Sequence, residues 1–212
     1  MHTGDDPAAL LAEARAAADE AIALRPDAVW LLREKGWLAL LEAEAKVAAG
    51  RDPTAALADA EHRLATVVPK GDEDEGRRNL VQLAITRAHW MVGRGQDPTP
   101  VLRKAEADIA DEARRLPRWG EDLVAGAALG AARWAHRTGR PAEADARRGL
   151  AAVGAMLADD PRDVSTWVQK AALEALAGER AAAATSLAYA ATLNELVRRS
   201  RDYQATEALI GR

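Results

Sequence analysis

The sequence predicts an all-α protein, built as a tandem array of helix pairs. Three observations predict it. Of the 212 residues, 52 are alanine, the strongest helix former. Aromatic residues make up 4% of the chain and Phe is absent, whereas strands favour aromatic and β-branched side chains. The third observation is a recurring Gly-x-Asp-Pro signature. It reads Gly4-Asp5-Asp6-Pro7, Gly50-Arg51-Asp52-Pro53 and Gly95-Gln96-Asp97-Pro98. Shorter copies follow at Gly139-Arg140-Pro141 and, without proline, at Gly178-Glu179-Arg180. The successive glycines are 46, 45, 44 and 39 residues apart.

Each signature reads as a helix–turn–helix joint. Gly ends one helix because it accepts the left-handed conformation after the last turn. Asp caps the next helix by accepting its free N–H groups. Pro at the first helical position has no N–H to lose and presets φ. A leucine follows each full joint by four residues, at Leu11, Leu57 and Leu102, and an alanine comes three later, at Ala14, Ala60 and Ala105. A second mark alternates with the joints: Pro26, Pro69, Pro117 and Pro161, prolines that stop a helix. Each period of about 45 residues therefore holds two helices.

In order, the elements begin with a helix from Pro7 to Leu24, opened by the first joint and closed by Pro26. Pairs follow at Asp27–Ala49 with Pro53–Val67, Asp74–Gly93 with Pro98–Leu116, and Glu121–Thr138 with Pro141–Ala158. The last pair is Asp163–Ala177 with Arg180–Arg199. Residues 1–6 read as a flexible N-terminus, 7–200 as the repeat domain and 201–212 as a polar C-terminal tail able to cap the array.

The stretch from Ala21 to Trp30, Ala-Ile-Ala-Leu-Arg-Pro-Asp-Ala-Val-Trp, resembles a tetratricopeptide-repeat (TPR) junction. Ten residues past Pro26, Pro117 and Pro161 come Gly36, Ala127 and Ala171, matching the family's small residue where paired helices touch. Six past them come Leu32, Leu123 and Trp167, matching its bulky anchor. The resemblance implies a right-handed α-solenoid of about four long TPR-like helix pairs plus an opening helix. The period departs from the family's roughly 34 residues, so the first helices are lengthened, and no clean match follows Pro69. The long period and the Ala- and Arg-rich second helices also resemble the C-terminal repeat regions of some bacterial Ser/Thr protein kinases. Those regions end in a Leu-Asn-Pro-Leu…Tyr segment; here Leu193-Asn194-Glu195-Leu196 leads to Tyr203. The chain contains no kinase motifs: no Gly-rich loop with a strand lysine, no His-Arg-Asp and no Asp-Phe-Gly.

Composition and motifs exclude several functions. Lys+Arg number 29 against 33 Asp+Glu, a net charge of −4, which argues against nucleic acid as the main ligand. Without Cys there is no disulfide scaffold, thiolate catalysis or Cys-ligated metal. His2, His62, His89 and His136 form no His-Glu-x-x-His, and neither a Gly-x-Ser-x-Gly elbow nor a phosphate-binding Gly-x-x-x-x-Gly-Lys occurs. No catalytic residue, metal or cofactor is expected. The longest weakly polar run, Ala181–Leu193, is too short to span a bilayer, so a cytoplasmic chain that binds no membrane is expected. Arginine far outnumbers the five lysines, which suggests a GC-rich bacterial source.

Stacked helix pairs act through their surfaces. The family's first helices line a concave face that binds peptides, and the resemblance carries that face onto Trp30, Arg33, Trp37, Leu40, Arg78, Gln82 and Thr86. It continues through Val124, Ala128, Val168 and Ala172. Trp with Arg is a binding hot-spot composition, suited to an acidic and apolar protein or peptide. The competing reading packs Trp30 and Trp37 on the opening helix. Trp90 and Trp134, each five residues before a joint glycine, are expected to plug seams between repeats, and Trp119 to lie in an exposed turn. Gly126, Gly130, Gly149 and Gly154 are expected at close helix crossings. The function expected is a non-catalytic protein-interaction scaffold. A regulatory segment of a bacterial Ser/Thr kinase is the alternative, and a helical small-molecule binder or enzyme a third. Self-association through an apolar end is a further expectation.

Overall fold

A computed structural model describes residues 7–70, 73–115 and 120–211. The first joint, Gly4 to Asp6, the flexible N-terminus at 1–6, His2, the Pro117 stop and Trp119 lie outside them. Ten α-helices are present among the described residues, and no strand. They are α1 (Ala8–Leu24), α2 (Val29–Ala48), α3 (Thr54–Val67), α4 (Glu73–Arg94), α5 (Thr99–Arg115), α6 (Glu121–Arg137), α7 (Glu143–Asp159), α8 (Val164–Leu176), α9 (Arg180–Leu193) and α10 (Arg201–Ile210). Short 3-10 turns span Val68–Lys70 and Glu195–Arg199. The first eight helices match those read from the sequence; the ninth, read as Arg180–Arg199, ends at Leu193, where extended Asn194 breaks it and caps the following 3-10 turn.

The four described joints share one hydrogen-bond pattern. Gly50, Gly95, Gly139 and Gly178 have φ of 69°, 73°, 70° and 85°. The N–H of Gly50 donates to Val47 O at 3.0 Å and that of Arg51 to Lys46 O at 2.8 Å. The same pair of bonds recurs at Gly95–Gln96, Gly139–Arg140 and Gly178–Glu179. This is the Schellman closure, which satisfies the last carbonyls of a helix. The aspartates act as read: Asp52 Oδ1 accepts the Thr54 N–H, and Asp97 Oδ1 the Thr99 N–H, both at 2.9 Å. Hydrogen bonds from the Thr99 hydroxyl and N–H hold the Asp97 carboxyl below the usual carboxylate range. The fourth joint has lost its Asp, and α7 has no side-chain cap. Asp163 caps α8 by accepting from Ser165 N–H at 2.9 Å. Burial alone would raise its pKa, but bonds from Ser165 and Thr166 outweigh that and lower it.

The chain divides into two compact units, one ending at Trp90 and the other beginning at Met91, within α4. In the first, α2 packs on α3 and α1 packs on α2. The core is Ala39, Leu40, Ala43, Ala56, Leu57, Ala60, Leu64 and Leu83. Gly36 lets α2 and α3 approach: a Cβ there would sit 2.9 Å from Leu64 Cδ2. The small residue ten past Pro26 thus lies at a helix contact, as read.

In the second unit α6 packs on α7, α7 on α8 and α8 on α9. Its larger core joins Leu129, Val153, Leu173 and Leu176 with seven alanines. Gly126 and Gly130 are buried, and Gly149 stands where α7 meets both α6 and α8. Gly154 is different: it is exposed, with nothing within 4 Å of a Cβ built on it.

The reading of 201–212 as a polar tail is corrected. Ser200 accepts the Tyr203 N–H at 3.2 Å and opens α10, which packs on α8 and α9. Tyr203 and Thr206 are buried, and Arg133 reaches Asp202 at 3.2 Å. Few apolar residues mark this helix, but one tyrosine supplies much of the area it needs.

Candidate functional site

The site read from the sequence lies on α2 and α4 of the first unit. On α2, Trp30 and Trp37 are seven residues apart and so share a face. Trp30 is 57% exposed and Trp37 41%. The reading that packs both indoles away on α1 therefore fails for much of their surface. Arg33 stands between them, half-buried, donating to Glu34 Oε1 at 2.7 Å. Arg78 on α4 is half-buried as well.

Three of the expected residues do not present themselves as read. Leu40 is 1% exposed and belongs to the core with Leu57 and Leu64. It lies on the flank of α2 that turns toward α3, one-sixth of a turn from the Trp37 direction. Gln82 and Thr86 are engaged by Glu44: Gln82 Nε2 donates to Glu44 Oε1 at 2.6 Å, and the Thr86 hydroxyl lies 3.3 Å from the same oxygen. Thr86 is buried. These contacts join α2 to α4. The later-repeat residues Ala128, Val168 and Ala172 are buried, leaving Val124 half-buried. Apolar positions one-quarter turn from an exposed residue are drawn into the core, and periodicity cannot separate the two.

Glu44 was not singled out from the sequence, where it is one glutamate among many. Burial pushes its carboxyl pKa up, against the hydrogen bonds from Gln82 and Thr86. Its folded-state pKa stands above its unfolded value, so the folded state holds the proton more tightly between the two. This contribution to stability is then greatest below the unfolded pKa and is lost as pH rises through the folded pKa. Glu44→Gln keeps an acceptor for Gln82 and removes the titration. It should stabilise the unit at neutral pH and flatten its stability against pH between the ordinary glutamate pKa and the raised folded-state one. Denaturant unfolding at several pH values checks this; an unchanged pH profile would show that Glu44 is as well solvated folded as unfolded.

A cleft of about 480 Å³ lies between α1 and the C-terminal half of α2, lined by Leu11, Arg15, Asp19, Glu42, Lys46 and Arg51 among others. Its charges are matched internally: Arg15 and Lys46 meet Glu42 at 2.6 and 2.8 Å, and Lys35 pairs with Asp19. That bond holds the Asp19 carboxyl below the usual range. In the second unit, Lys170 bonds Glu174 and the Ser186 hydroxyl, the latter at 2.9 Å, and sits over the Trp167 ring. Trp167 meets Tyr189 edge-on, with centroids 4.6 Å apart. Trp90 and Trp134 are half-buried. Among the described residues no group of three or more His, Asp or Glu could hold a metal ion, and no helix is long and apolar enough to cross a membrane.

In comparisons with protein-family models, curated proteins and solved structures, none matches this chain.

Proposed function

We propose that the chain is a non-catalytic protein-interaction module that binds an extended or helical peptide across Trp30, Arg33 and Trp37. The supporting observation is the open pair of indoles on one face of α2. Most of an exposed indole's surface is apolar, so a fold that leaves two on one helix face forgoes their burial. A partner that covers them recovers that burial, and Arg33 favours an acidic group beside it. In this reading the helix pairs are TPR-like and continue as a right-handed solenoid, consistent with the repeated Schellman joints and the small residue at Gly36. No nucleic acid, cofactor or membrane enters it.

Peptides selected against the purified chain from a random library should be apolar and acidic. Trp37→Ala combined with Arg33→Ala should weaken them about tenfold or more without changing the helical melting transition. Peptides insensitive to that double variant would remove the site. Loss of the melting transition would assign the two residues to the core.

A second reading, a regulatory array serving a bacterial Ser/Thr kinase, rests on the C-terminal segment. There Asn194 accepts the Leu196 N–H at 3.0 Å and Tyr203 is buried, so the residues carrying that resemblance have structural work. A kinase reading frame in the same gene would test it.

A further inference from the structure

The face of α1 that carries Leu10 is open where its repeat equivalent is closed. The joints align Pro7 with Pro53, so Leu10, Ala14 and Ala21 correspond to Ala56, Ala60 and Val67 of α3. All three α3 residues are buried, Ala56 and Ala60 in the core shared with α2. On α1, Leu10 is 60% exposed, and Ala14 and Ala21 are only half-buried. Leu11, Arg15 and Asp19 already tie α1 to α2: Leu11 is buried, Arg15 reaches Glu42 and Asp19 reaches Lys35. The open face is a neighbouring one.

It is also a seam. Leu10, Ala14, Ala17, Ala21 and Leu24 follow a 4-3-4-3 spacing, which is that of a helix–helix contact line. Ala17 is exposed and Leu24 is 82% exposed. Glu13 and Glu20, both exposed, flank the seam on its solvent side, seven residues apart. An antiparallel second copy of α1 would set Leu10 against Leu24 but also Glu13 beside the other copy's Glu20, twice, and like charges there oppose pairing. A helix with basic flanks meets the same seam with attraction.

We propose that the Leu10–Leu24 face of α1 docks an amphipathic helix of another protein, one with a Leu/Ala contact line flanked by Lys or Arg. The helix takes the place that α2 takes on α3. Small alanines at the centre allow close approach, the two leucines supply the apolar area at the ends, and the glutamates set the partner's charge. This surface is separate from the Trp30–Trp37 face and stands whether or not that face binds peptide.

The test uses the full chain and two designed helical peptides of α1's length, 17 residues. Both carry Leu and Ala at 4-3-4-3 spacing; one has Lys at the flanking positions, the other Glu. The Lys peptide should bind about tenfold or more tightly than the Glu peptide, with the gap narrowing as salt rises. Leu10→Glu with Leu24→Glu should abolish binding at unchanged helical circular dichroism, since both leucines are exposed. Glu13→Lys with Glu20→Lys should reverse the preference between the peptides. Equal binding of the two peptides, or loss of binding on Trp37→Ala instead, overturns the proposal. So does a concentration-dependent dimer that Leu10→Glu disperses, which gives the seam to a second copy.

Discussion

Leu64→Ala is expected to lower the stability of the first unit by about 3 kcal/mol. Leu64 is fully buried among Ala39, Leu40, Ala43, Ala56, Leu57, Ala60 and Leu83. Four of those neighbours are alanines, which have no side chain to swing into a cavity, so the void persists and its cost stays high. Gly36 faces the same leucine, and a Cβ there would lie 2.9 Å from Leu64 Cγ. Gly36→Ala alone therefore forces the leucine aside. In the Leu64→Ala background the space exists, and alanine's helix preference of about 1 kcal/mol over glycine is recovered. The double variant should be more stable than the sum of the single effects by about 1–2 kcal/mol. Urea unfolding followed by helical circular dichroism measures all three; simple additivity would show that Gly36 and Leu64 do not share the contact.

Gly149→Val should cost the second unit about 3 kcal/mol. A Cβ at Gly149 would lie 2.8 and 2.9 Å from the two methyls of Leu173 and 3.2 Å from Ala128 Cβ. Leu173 and Ala128 are fully buried, so neither can withdraw without displacing α8 or α6. Five residues on in the same helix, Gly154 has nothing within 4 Å. Gly154→Ala should stabilise by about 0.5–1 kcal/mol through helix propensity alone. Opposite signs for the two substitutions are the expected thermal-melt result. Tolerance of valine at 149 would mean that α6, α7 and α8 are not in close contact there.

These two glycines show where sequence reading stops. Both sit in one helix and both read as close-crossing positions, yet only one meets a neighbour. Gly126 and Gly130 are buried, in a helix covered on most sides. The candidate site divides in the same way. The seven-residue spacing puts Trp30 and Trp37 on one face of α2 but leaves open whether α1 covers it; their exposure is decided by the tertiary packing. Leu40 was misplaced because it lies only a fraction of a turn from Trp37, and an aliphatic residue there joins α3. Gln82 and Thr86 read as surface residues in the sequence; their partner, Glu44, comes from another helix, 38 and 42 residues earlier. α10 was read as a tail because ten residues around a single tyrosine have too little apolar pattern to announce a helix.

The sequence by itself determined the punctuation as far as the start of α9: which segments are helical, where the joints fall, and which glycine and aspartate close and open them. Those features depend on bonds within five residues, and the residue types that make them are few. Only the tertiary structure decided which face of each helix is covered. That depends on contacts between helices, from 16 residues apart at Lys35–Asp19 to 69 at Arg133–Asp202, and in an alanine-rich chain nearly every face is apolar enough to be buried. So the joints were legible and the faces were not. α1 carries the same joint-derived register as α3, and the difference between Leu10 in the open and Ala56 in the core lies in what packs against it.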